Sequence, residues 1–329
     1  MQVPFPSTIF FAVMLAALSA CSGDLHPTDS LEVAVKGIHG GALTDDGNAA
    51  VIGSIHHGGS YWKIGSQERA FNWNHKEGET TTIVVADFSS DNAWALTANP
   101  YNLVLWNTAS GQGERFWAAP GEILDAELGP GANIALLGLS DHTAVIFNIR
   151  RGGIMRTFQH QNRVRSVDFS KDGRLALTGS EDYTATLWDV SSGNMLKNMK
   201  HEDDVQLVKL SPNGDLALSV SKYDKAVLWD TSTGKARGEL KLNDERIKRG
   251  ATFVCARFNE DGTLLLTGQP DQIVQLWDVA TLSPVASWKL PKRDPWKPTS
   301  ASVIDVSFTE EPSTYRAIAS NGFIHTLKQ

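Results

Sequence analysis

Only two cysteines, Cys21 and Cys255, occur in 329 residues. No framework of several disulfides can staple this chain, and cysteine-rich metal sites are excluded with it. Basic charge is also scarce, with 30 Lys and Arg against 37 Asp and Glu and a formal net charge of -7. A general polyanion binder needs a basic field that releases counterions, so nucleic acid is excluded as a partner class. The longest apolar run, residues 9–18, is about half the roughly 20 residues that a membrane-spanning helix requires. No G-x-G-x-x-G follows a strand, and P-loop, H-E-x-x-H and G-x-S-x-G patterns are missing. Neither a cofactor nor a catalytic constellation is therefore expected. What the chain does have is glycine, 28 residues of it, in a sequence 41% hydrophobic and 20% charged. That is the balance of a turn-rich globule without low-complexity tracts.

One phrase returns along the chain: Thr186-Leu187-Trp188-Asp189-Val190, Val227-Leu228-Trp229-Asp230-Thr231 and Gln275-Leu276-Trp277-Asp278-Val279. The positions Trp62, Trp106, Phe147, Trp188, Trp229, Trp277 and Leu327 follow one another at gaps of 41 to 50 residues. Each unit repeats an alternating strand, a hairpin turn such as Lys171-Asp172-Gly173, and a second strand. Seven such units predict a closed ring. The phrase and its spacing resemble the WD-repeat family, which implies an all-β, seven-bladed β-propeller of four-stranded antiparallel blades. The last unit offers three strands, so residues 31–35 are expected to supply the fourth and close the ring. Cys255, in the apolar stretch Phe253-Val254-Cys255-Ala256, reads as a small buried hydrophobe.

The resemblance further implies a hydrogen-bonded network in each blade. In the unit ending at Trp188 it falls on His160, Ser180, Asp182 and Trp188, a set that satisfies a buried indole and imidazole. The next unit keeps His201 and Ser221, with Tyr223 in the turn position, whereas the unit ending at Trp277 has Gln269 and Arg249 in place of serine and histidine. Wear of this kind suits a packing device and not a reaction centre. Adjacent His56 and His57 point to opposite faces of a strand and make a poor metal chelator.

The N-terminus is of another kind. The apolar run ends in Leu18-Ser19-Ala20-Cys21, which resembles the lipoprotein box of bacteria. By that resemblance residues 1–20 are a signal peptide, Cys21 carries the lipid, residues 21–30 are a tether, and the propeller occupies 31–329. Met1 to Thr8 contain no Lys or Arg, so an ordinary cleaved signal or a buried helix are the other readings. Ser22, in place of an aspartate, points by the same resemblance to the outer membrane, periplasmic face. Two overlong joins between units carry Arg246, Lys248 and Arg249, and Lys292, Arg293, Trp296 and Lys297. Arg and Trp are enriched in binding hot spots. The chain is thus expected to be a monomeric, non-catalytic, lipid-anchored scaffold for envelope proteins, with a small ligand or a reaction in the central channel as the alternative.

Overall fold

Strands dominate the computed structural model, which describes residues 24–223, 225–241, 252–297 and 301–329. They run in chain order from β1 (Asp29–Glu32) to β28 (Phe323–Lys328), with one 3-10 turn at Pro130–Ala132. They form seven four-stranded antiparallel sheets. Blades 1 to 6 cover residues 38–72, 85–118, 123–159, 164–200, 205–240 and 255–289. Blade 7 combines residues 303–328 with β1. The innermost strand of each blade packs on that of the next, and blade 7 packs on blade 1, so the seven-bladed ring is closed.

Alternation along the strands explains the stacking, because both faces of every blade must be covered. Ala176 faces a core shared with blade 3, and its neighbour Leu177 faces one shared with blade 5. Seven apolar clusters result, one at each blade interface. The turn at Gly173 needs a backbone with φ +69°, and a Cβ there would stand 2.7 Å from Pro130. That position favours glycine on both counts. Cys255 is buried as expected, in a strand that runs Cys255–Phe258 and not 253–256.

The first strand does close the last blade, with Asp29 opposite Thr326 and Glu32 opposite Phe323. It lies two residues earlier than the alternation suggested. Val33 and Ala34 leave the ladder, donate their N–H groups to the carbonyl of Gly322, and turn into the core between blades 7 and 1. The described part of the expected tether is held as well: Leu25 bridges Trp288 in parallel on the outer strand of blade 6, β25 (Ser283–Lys289), and Thr28 donates its N–H to Thr326 O at 2.8 Å. Residues 24–32 therefore staple blades 6 and 7 together. Cys21 and Ser22 lie outside the described residues, and among the described ones no helix is long and apolar enough to cross a membrane.

Candidate functional site

The reactive-looking side chains are consumed in holding blades together. In blade 4, Asp182 Oδ2 accepts from Gln161 N–H at 3.0 Å and faces His160 Nδ1 at 2.8 Å, while Oδ1 accepts from Thr184. A carboxylate only accepts, so Nδ1 carries the proton and Nε2 accepts from Thr178 Oγ1 at 2.8 Å. The indole Nε1–H of Trp188 donates to the same Oγ1 at 2.8 Å. The relay hydroxyl is thus Thr178 and not Ser180, which instead donates to Asn162 O and accepts from Asp182 N–H. Both residues sit on one face of one strand, but only Thr178 lies level with the indole. Burial opposes ionisation of Asp182, yet the bonds from His160 and Thr184 hold it well below the usual carboxylate range.

The same shift of two residues applies elsewhere. Ser219, not Ser221, joins His201 to Trp229 at 2.6 and 2.7 Å. Thr267 receives Trp277 at 2.9 Å, while Gln269 bonds Gln275. Thr97 joins Trp106 at 2.8 Å to His75 at 3.0 Å, a network the sequence reading missed because the join carrying His75, residues 73–84, is itself long. The aspartates of the Trp-Asp phrase do other work. Asp230 Oδ1 accepts from Ser232 and Thr233, and Asp278 Oδ1 accepts from Thr281, so both cap the turn that follows. Asn107 and Asn148 cap the corresponding turns of blades 2 and 3.

A central channel of about 870 Å³ is lined by the inner strands. Its aspartates bridge neighbours: Asp87 accepts Leu128 N–H at 2.7 Å, Asp125 accepts Val167 N–H at 2.9 Å, and Asp305 accepts Leu43 N–H at 2.8 Å. Lys209 pairs with Asp168 at 2.7 Å and Glu127 at 3.3 Å. Arg257 of blade 6 reaches Val306 O at 2.8 Å and Asp305 at 3.0 Å in blade 7, then Leu43 O at 3.2 Å and Asp45 in blade 1. Burial raises Asp87 to about 7 and lifts Asp125 and Asp168; Glu127 rises through burial and the charge of Asp87. Burial also disfavours the Lys209 ammonium, but Asp168 and Glu127 overcome it and hold the lysine charged. Among the described residues no three His, Cys, Asp or Glu side chains are arranged to hold a metal.

The joins between blades and the turns between second and third strands share one rim, as the bond from His201 N–H to Tyr183 O shows. Of the expected basic patch, Arg246, Lys248 and Arg249 lie outside the described residues. Arg293 is engaged within the molecule: it pairs with Glu32 at 2.8 Å, donates to Asn321 O and Ala34 O, and stacks 4.6 Å from the Phe323 ring. It clamps the closing strand, a role that composition could not distinguish from a free charge. Lys292 and Lys297 are exposed, and Trp296 is 95% exposed. Sequence reasoning missed three tyrosines on the same rim, Tyr101, Tyr183 and Tyr223, which are 61%, 48% and 65% exposed. Their signal was available, since each occupies the same turn of its unit. His56 and His57 are exposed on the corresponding turn of blade 1.

Two stretches of the chain, residues 152–189 and 247–278, match the family described as WD domain, G-beta repeat. The similarity to WD40 repeats thus falls on blades 4 and 6, where Trp188 and Trp277 meet their hydroxyl partners. No curated protein matches the chain. The WD40 resemblance and the seven-bladed propeller agree with a protein-interaction scaffold.

Proposed function

We propose that this propeller is a non-catalytic scaffold, held by lipid on Cys21 at the periplasmic face of a bacterial outer membrane, that gathers envelope proteins on its join-bearing rim. The observation that carries the scaffold reading is the set of exposed tyrosines on that rim, three of the five in the chain. Tyrosine offers a large, stiff contact area with a polar tip and is enriched where proteins meet. Occupation of His160 and Asp182 in a buried network supports the non-catalytic part. The lipid anchor rests on Leu18-Ser19-Ala20-Cys21 alone.

Photo-crosslinking from Tyr101, Tyr183 and Tyr223 in intact envelopes is expected to capture a protein, and alanine at Tyr183 and Tyr223 together to abolish its recovery. Equal capture from sites on the opposite rim refutes this assignment. Replacement of Cys21 by serine is expected to move the chain into the soluble fraction. The channel supports a second reading, since its lining holds nine Asp and Glu against four Lys and Arg. A small organic cation taken up there raises the melting temperature of the wild type and not of Glu127→Gln.

A further inference from the structure

Of the ten tryptophans in the chain, nine are buried or half-buried and one, Trp296, is 95% exposed. Its exposure is built into the turn. Asp294 accepts the N–H of Trp296 at 3.1 Å through Oδ1 and that of Lys297 at 3.2 Å through its carbonyl. Lys297 pairs with Asp294 at 3.3 Å, and Lys292 reaches back to Lys297 O. Arg293, in the middle of the same turn, is fixed to Glu32 and Ala34. The indole is thus presented from a braced support, with Lys292 and Lys297 beside it and exposed.

The position of this turn relative to the chain's N-terminal segment matters. Asp24 accepts from Ser287 Oγ, and Leu25 bonds Ser287 O and Lys289 N–H, at the end of β25 from which the Trp296 join departs. Cys21 stands three residues before Asp24, a reach of about 10 Å for extended chain. A lipid on Cys21 would keep the outer strand of blade 6 within that short tether of the bilayer, and the tryptophan turn follows the end of the same strand. Tryptophan flanked by lysine suits the headgroup layer, where the ring is half immersed and the ammonium groups meet phosphate.

We infer that Trp296, with Lys292 and Lys297, is a membrane-contact wedge that inserts into the headgroup layer of an anionic lipid surface and fixes the orientation of the propeller. The inference rests on the lipid anchor at Cys21. It leaves Tyr101 of blade 2 and Tyr183 of blade 4 on blades that do not adjoin blade 6, free for a protein, whereas Tyr223 stands on blade 5 beside it.

The test uses the lipidated full chain reconstituted into vesicles of phosphatidylcholine and phosphatidylglycerol, with and without brominated acyl chains. Bromine quenches nearby indoles. The wild type is expected to lose part of its tryptophan emission, and Trp296→Ala to lose none while still sedimenting with the vesicles. Trp296→Ala touches no core, so the emission of the other nine tryptophans reports an intact fold. Equal quenching in both proteins, or none in either with both still vesicle-bound, overturns the wedge and leaves the anchor standing. A wild-type chain that stays in the supernatant overturns the anchor and the wedge together. Crosslinking of Trp296 to a protein, without quenching, assigns the turn to a protein partner instead.

Discussion

Replacing Thr178 by valine keeps the shape of the side chain and removes only its hydroxyl, so the change reads the network and little else. Thr178 is fully buried, and Trp188 and His160 are 8% and 7% exposed. The substitution strands the indole N–H and the imidazole Nε2, both bonded at 2.8 Å in the wild type. Each buried polar group left without a partner costs about 1 to 3 kcal/mol, which gives roughly 2 to 6 kcal/mol for the pair. Thr178→Ser keeps the hydroxyl and loses a methyl, at about 1 kcal/mol. Ser180→Ala removes two bonds to backbone groups, at about 1 to 3 kcal/mol in all. Urea unfolding followed by tryptophan emission ranks the three, with Thr178→Val expected at the lowest midpoint. A Thr178→Val protein as stable as Ser180→Ala would falsify the assignment of Thr178 as the relay.

Acid is expected to loosen the ring at His325, which is fully buried and which burial holds neutral down to about 4. The unfolded imidazole binds its proton near 6.5, so stability falls as pH drops from about 6.5 to 4, by about 3 kcal/mol over the whole interval. Asp87, raised to about 7 by burial, works in the opposite sense, since its folded form takes up a proton first. Unfolding midpoints at pH 7.5 and 5 are therefore expected to differ less in His325→Gln than in the wild type, and an unchanged difference refutes the attribution. Arg257→Met removes a guanidinium that ties three blades and leaves Asp305 without its cation. A loss of about 3 kcal/mol is expected in the same assay. Arg293→Ala is expected to speed hydrogen exchange at residues 29–34 by unclamping the closing strand, with the amides of blade 4 as the unaffected reference.

The ring was legible because its aromatic positions and turn glycines recur at a nearly constant interval, and the blade count follows from that alone. The relay was misplaced because Thr178 and Ser180 alternate onto the same strand face, and periodicity cannot say which of two like residues lies level with an indole ten residues on. His75 was hidden by the length of its own join. The acid-base ladder of the channel was invisible, since Asp87, Asp125 and Asp305 look in sequence like ordinary polar positions of half-buried strands. Only closure of the ring brings each to its neighbour's amide. The charge on Arg293 was read correctly, but its destination was not, because Glu32 and Ala34 meet it from the other end of the chain.

The staple at residues 24–32 sets the order in which this molecule can be completed. Its partners, Ser287 to Lys289 and Phe323 to Thr326, are made long after it. An emerging chain therefore carries this lock long before it can be engaged. Until then the unfinished propeller is an arc with two bare edges. If translocation delivers the chain N-terminus first, a lipid on Cys21 would park that lock at the bilayer while the remaining blades wind up beside it, and the final hairpin would have to return to the membrane to be fastened.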